Sequence, residues 1–256
     1  MTIIALTVLG LFGLVVGSFL NVVAHRVPAG MSIVAPGSAC PACGHPIRPR
    51  DNVPVVAWFL LRGRCRDCGT AVSVRYPIVE AFTAAAFVAV GATLGPVWVL
   101  PAYLWFVAVT IALTLVDLDH KLIPNRILYP GTVVGVALLA GGAIVDGRPW
   151  SFLVALASGT GFFLALLALA LVARGGFGFG DVKLGFLLGV FTGYVGWPNA
   201  VVAFVAAFLF GGLVSVALLV GGVRGRKDAI PFGPYLVAGA YTAVVLGDRI
   251  VAWYLR

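Results

Sequence analysis

Charge is what this chain has least of. Only 10% of its 256 residues are charged, nine of them acidic, and Glu80 is the only glutamate. Set beside 61% apolar residues and a mean hydropathy of +1.09, this scarcity excludes an ordinary soluble domain, in which about 45–50% of residues are apolar. Cysteine is confined to four residues between positions 40 and 68. The first apolar run has no basic residues ahead of it and is followed by His25-Arg26, so it lacks the n-region of a cleaved signal and reads as a first anchor helix. No internal repeat is visible. No Rossmann-type glycine fingerprint follows a strand.

What the chain does have is a series of apolar runs near the ~20 residues that a spanning helix needs. About eight can be read: Thr2–Val23, Ile78–Leu94, Val97–Val116, Ile127–Val145, Ser151–Val172, Val182–Val195, Ala200–Val220 and Tyr235–Trp253. The sixth is short and carries glycines, which makes it the weakest candidate. The expected fold is an all-α polytopic membrane protein of about eight transmembrane helices. A cytoplasmic loop with four metal-binding cysteines joins the first two. The organisation expected is a first transmembrane helix in 1–27, a cysteine-rich loop in 28–77 and a polytopic core in 78–256.

The net charge of +8 raises nucleic acid as a partner, but its distribution argues against that. With the N-terminus outside and every run spanning, the inner loops hold 14 of the 17 basic residues: Arg26, Arg48, Arg50, Arg62, Arg64, Arg66, Arg75, Lys121, Arg126, Arg174, Lys183, Arg224, Arg226 and Lys227. Only Arg148, Arg249 and Arg256 fall outside. The basic excess is thus a topology signal, and it predicts a multi-pass membrane protein with its N-terminus outside.

The long polar segment Pro28 to Pro77 contains Cys40-Pro-Ala-Cys43 and Cys65-Arg-Asp-Cys68, separated by 21 residues. Each pair has metal-knuckle spacing. Gly44 and Gly69 follow the second cysteine of each pair, where a tight turn brings backbone amides towards the thiolates. Four thiolates suit tetrahedral zinc in a closed structural site, which offers no open position for catalysis and would serve to fold the loop. Two disulfides or four free thiols are the other readings, and a cytoplasmic location disfavours the first. His45 reads as a solvated loop residue.

Two acids stand at the ends of apolar runs. Asp117 closes the third run, and Asp181 follows the glycine-rich stretch Gly175–Gly180. Acids at a bilayer edge are costly and point to function. The topology brings both to the cytoplasmic edge, although 64 positions separate them in sequence. Two carboxyl groups within a few ångströms share a proton, so one can activate water while the other donates to a peptide carbonyl or leaving amine. Gly178 and Gly180 allow close approach of substrate, and Pro124 is expected to interrupt the helix after Asp117. Asp119 competes with Asp117, but positions two apart do not share a helix face. Solvated loop charge, or N-capping by Asp181, remains open as the alternative. Glu80 reads as a structural residue at the start of the second helix, and Asn21 as a bond to another helix.

At this point the chain resembles the type IV prepilin peptidases, bacterial membrane aspartic proteases of the GxGD class. The matching motifs are Gly178-Phe179-Gly180-Asp181 and Asp117 through Pro124, preceded by Gly17-Ser18-Phe19-Leu20-Asn21-Val22 and by Cys40–His45. They continue in Asn52-Val-Pro54, Trp58, Arg62-Gly63-Arg-Cys65 and Arg75-Tyr-Pro-Ile-Val-Glu80, and end in Ile230-Pro-Phe-Gly-Pro234. The series runs in order along nearly the whole chain. The resemblance implies removal of the basic leader of type IV prepilins or type II secretion pseudopilins at the cytoplasmic face, with Asp117 rather than Asp119 paired to Asp181. It also implies N-methylation of the new N-terminus from S-adenosylmethionine, with Gly63 associated with methyl transfer. The leader's basic residues would then meet Asp51, Asp67 or lipid headgroups. An ion-coupled transporter with a carboxylate proton relay, and a leader peptidase without methyltransferase activity, are the alternatives.

Overall fold

The computed structural model describes residues 1–172, 178–222 and 231–255. Arg174, Gly175, Gly176, Arg224, Arg226, Lys227, Ile230 and Arg256, which entered the sequence reading, lie outside the described residues. Those that are described form α-helices and no strands. The chain divides into two compact units, Met1–Ala92 and Thr93–Arg256.

The first unit contains α1 (Ile3–Arg26), a 3-10 turn at Pro49–Asp51, the short helix α2 (Val56–Leu60) and α3 (Arg75–Leu94). Helices α1 and α3 run antiparallel and approach closely through glycine. A Cβ placed on Gly13 would meet Ala84 Cα at 2.6 Å, and one on Gly17 would meet Glu80 Cα at 2.7 Å. Such small-residue contacts let backbones touch where lipid supplies no hydrophobic drive between helices. Asn21, expected to bond another helix, instead donates its side-chain amide to Gly17 O at 3.2 Å one turn back in its own helix, the local backbone bond that a short polar side chain can reach. Helix α3 begins at Arg75, so Glu80 sits in its second turn rather than opening it, and is buried there. Its Oε2 accepts the Val55 N–H at 2.7 Å, and Ser18 of α1 supplies a second hydrogen bond.

The second unit contains α4 (Leu100–His120), α5 (Asn125–Val145), α6 (Pro149–Val172), α7 (Phe179–Val195), α8 (Trp197–Val220) and α9 (Gly233–Tyr254). Among the described residues, seven helices, α1, α3, α4, α5, α6, α8 and α9, are long and apolar enough to cross a bilayer. Helix α7 has 17 residues, the short limit for a span of about 17–25 residues. It also has the largest buried share among the described helices, 12 of its 17 residues against 12 of 21 in α4. Glycine makes that possible: a Cβ on Gly185 would lie 2.6 Å from Leu166 of α6, and one on Gly189 would lie 2.8 Å from Gly159 Cα. Helices α4 and α7 share an aromatic core, in which Phe106 stacks on Phe191 at 4.5 Å and the Tyr103 hydroxyl donates to Phe191 O at 2.7 Å. Asp146 fixes the far end of α4 by accepting the N–H groups of Trp98 and Val99.

Candidate active site and cysteine cluster

Asp117 lies in the last turn of α4 and Asp181 in the first turn of α7, so both acids come to the same end of the second unit. Both are buried, at 4% and 9% exposure, whereas Asp119 is exposed on the outer face of α4. The helix therefore separates the two neighbouring aspartates as its 3.6-residue period requires. Asp117 and Asp181 are near enough for their charges to interact.

Each carboxyl group is held by the backbone at a helix start. Asp117 Oδ2 accepts the Gly233 N–H at 3.0 Å, from the first residue of α9 and 116 positions away in sequence. Asp181 sits three residues after the N-cap Gly178 and accepts a hydrogen bond from the backbone of that glycine. That is the N3 half of a capping box, so the capping role and the paired role belong to the same side chain. The partial positive charge of two helix N-termini thus faces two acids.

Three glycines make the enclosure possible. A Cβ on Gly233 would fall 2.7 Å from Asp117 Oδ2, one on Gly178 would fall 3.2 Å from Asp181 Oδ2, and one on Gly180 would fall 3.0 Å from Ile123 Cβ. Ile123 spans the gap, with its Cδ1 3.4 Å from the same Gly233 position. Its role had no signal in the sequence beyond its place between Asp117 and Pro124. The helix after Asp117 ends differently from the expectation. It runs to His120 and stops at Lys121, which adopts a left-handed conformation with φ 54°. Pro124 instead precedes α5 as its N-cap, an extended position that a ring with fixed φ suits.

The first unit holds the cysteine cluster. The sulfurs of Cys40, Cys43, Cys65 and Cys68 all lie within 4.8 Å of one another, with Cys40 and Cys68 at 3.8 Å. Four sulfurs placed tetrahedrally about 2.3 Å from a zinc ion would stand about 3.8 Å apart, so the donor set fits that metal. The two knuckles repeat one construction. Gly44 and Gly69 take φ of 72° and 73°, and their N–H groups bond Cys40 O and Cys65 O. Bridges Ala39↔Pro46 and Arg64↔Ala71 close the two turns. Amides of Cys43 and Ala42 lower the Cys40 thiol, and the hydroxyl and amide of Thr70 push Cys68 down to about 6. The His45 amide acts in the same direction on Cys43, but burial and the neighbouring thiols outweigh it and push that thiol up to about 12. A metal ion would replace those shared protons. The knuckles are cross-linked by Arg48–Asp67 at 2.8 Å and Arg66–Asp51 at 2.6 Å, so both acids expected to meet a leader are already engaged.

Gly63 is a packed turn residue. Its φ is 65°, and a Cβ there would lie 2.8 Å from the Trp58 ring, whose Nε1 donates to Val72 O at 3.1 Å.

Long apolar helices, with two buried carboxyl groups where two of the helices end, define a polytopic helical membrane protein. The comparisons narrow that class. Residues 11–94 match the bacterial peptidase A24 N-terminal domain, and residues 104–216 match the type IV leader peptidase family. A prepilin leader peptidase/N-methyltransferase of Aeromonas hydrophila is 35% identical over 275 residues, covering 96% of this chain and 92% of the relative. A protein of that name from Bacillus subtilis is 32% identical over 255 residues, covering 98% of both chains. The one from Pseudomonas aeruginosa is 33% identical over 274 residues, with 96% and 92% covered. No solved structure shows significant similarity to the chain. The chain is a member of the type IV leader peptidase family.

Proposed function

We propose that this enzyme cleaves the basic leader from type IV prepilins or type II secretion pseudopilins through Asp117 and Asp181. The observation that carries this reading is the convergence of two buried carboxyl groups, from α4 and α7, within reach of each other's charge. In the proposed reaction one carboxylate takes a proton from water as its oxygen bonds the scissile carbonyl carbon. The protonated partner gives its proton to the carbonyl oxygen. Breakage of the C–N bond passes a proton to the departing amine and leaves a new carboxylate. The titration belongs to the pair, so neither residue has a fixed role as base. The Gly233 N–H holds one oxygen of Asp117 and so fixes the direction in which the other points.

The cytoplasmic face is the proposed side of the reaction. Lys121, Arg126 and Lys183 stand at the acids' end of the second unit, and the sequence adds Arg174, Arg224, Arg226 and Lys227 to the segments that join helices there. That balance follows the positive-inside rule. The names of the relatives support a second step, in which a methyl group passes from the sulfonium of S-adenosylmethionine to the new amine, which loses a proton. The crevice lined by Trp98, Val133, Leu138 and Val145 is apolar and does not suit so polar a donor. Zinc in the cysteine cluster has a structural role in this reading and takes part in neither step.

The test replaces Asp117 or Asp181 by Asn in the full chain and measures cleavage of a co-expressed prepilin. Each variant should accumulate and leave the prepilin unprocessed, while Asp119→Asn retains most activity. Full processing by either of the first two would remove the pair from the reaction. Mass spectrometry of mature pilin should show one added methyl group at its N-terminus, and its absence would leave the peptidase alone.

A further inference from the structure

Helix α2 carries a face that nothing in the first unit covers. Val56, Phe59 and Leu60 fall at i, i+3 and i+4, on one side of the helix, and Phe59 and Leu60 are 66% and 77% exposed. Ala57, on the other side, is 5% exposed. Contiguous exposed apolar residues mark a surface that meets a partner or a membrane.

The depth of α2 indicates which. Val55, immediately before the helix, has φ 61° and donates its N–H to Glu80 Oε2 at 2.7 Å. Glu80 lies five residues into α3, about 7–8 Å from the start of that candidate span. The bond therefore holds α2 beside the first turns of a membrane helix, level with the bilayer interface. Trp58 lies in α2 and Tyr76 in the first turn of α3, and both residue types favour that layer. Arg62 and Arg64 follow the helix and are exposed, whereas the nearby acids Asp51 and Asp67 are bound to Arg66 and Arg48. The local charge beside the apolar face is positive.

We infer that α2 is an interfacial helix that docks on anionic phospholipid, with Val56, Phe59 and Leu60 entering the headgroup boundary and Arg62 and Arg64 meeting lipid phosphates. This surface anchors the cysteine knuckles to the membrane at a third point, besides the ends of α1 and α3. Each arginine near an anionic leaflet contributes about 1 kcal/mol, or roughly fivefold in the docked population.

The experiment uses the full chain in nanodiscs, with an environment-sensitive fluorescent amino acid encoded at position 60 or, as a control, at position 45. In phosphatidylglycerol-containing discs, lipids brominated near the headgroup should quench the probe at 60 and spare the probe at 45. Quenching should fall several-fold in pure phosphatidylcholine and in Arg62→Gln/Arg64→Gln. Thermal unfolding and size-exclusion profiles identical to the parent protein would show that the variant is folded. An unquenched probe at 60 in every disc would mean that protein covers this face, and would overturn the inference. Quenching indifferent to headgroup charge and to both arginines would overturn it as well.

Discussion

Replacing Gly233 by Ala adds one methyl group beside the proposed reacting pair and removes no functional atom. The new Cβ would lie 2.7 Å from Asp117 Oδ2, and ordinary contact begins near 3.4 Å, so about 0.7 Å must be found. The start of α9 is held by the buried packing of Leu236, Val237 and Ala240, so the carboxyl group is the more mobile partner. Moving it stretches the 3.0 Å bond from Gly233 N–H. A hydrogen bond to a charged group is worth about 1.5–3 kcal/mol, and misplacement of a reacting group by about 1 Å costs about a hundredfold. The expected loss is therefore 10- to 100-fold in kcat for leader cleavage, since 1.36 kcal/mol is tenfold in rate. The added methyl group displaces a group proposed to act on the reacting atoms and not one proposed to bind the leader, so KM should change less than twofold. The assay is steady-state cleavage of a purified prepilin by enzyme in proteoliposomes. Gly178→Ala, with a 3.2 Å contact to Asp181, should lose less, and Gly161→Ala, which opens on free space, should lose nothing. A folded Gly233→Ala enzyme that cleaves at the parent rate would refute the assignment of the Gly233 N–H to Asp117 positioning.

Other outcomes follow from the same packing. Gly63→Ala combines a left-handed residue, at about 1–2 kcal/mol, with overpacking against Trp58, at about 1–3 kcal/mol. It should therefore expose the loop to limited proteolysis, and an unchanged digestion pattern would refute the packing role of Gly63. Elemental analysis of the purified protein should find one zinc per chain, and Cys43→Ser/Cys68→Ser should lose it and open residues 28–74 to protease; retention of metal by that variant would refute the four-sulfur site. Gly189→Leu should separate α7 from α6 at the 2.8 Å contact with Gly159 and lower thermal stability by several degrees, with cleavage falling as Asp181 moves. A stable and active Gly189→Leu enzyme would show that the α6–α7 contact does not position Asp181.

Much of this fold was legible because a bilayer imposes a length. Helix α1 continues past the run Thr2–Val23 to Arg26, and α8 begins ahead of the run Ala200–Val220 at Trp197, because polar residues extend each helix beyond its apolar stretch at one end. The cysteine knuckles were legible for a different reason. Their geometry is local, so Cys40, Cys43 and Gly44 form a turn whose residue types can be read in order. Helix α7 was the hardest to read, because a 17-residue span carrying four glycines looks weak until its neighbours show why it needs them.

The sequence by itself determined that this protein is built of membrane-length helices, that four cysteines make two matching knuckles, and that Asp117 and Asp181 stand at the ends of apolar runs. Those are consequences of periodicity, spacing and the cost of charge in lipid, each of which acts over a few residues. Tertiary structure alone decided that Asp117 is buried while Asp119 is exposed, that Gly233 supplies its hydrogen bond, and that Pro124 begins α5 rather than ending α4. It also turned Glu80 and Asn21 inward, to Val55 and to Gly17. Such partners are set by which helix backbones can touch. That depends on glycine contacts between chain segments up to 116 positions apart, a distance over which no local pattern carries information.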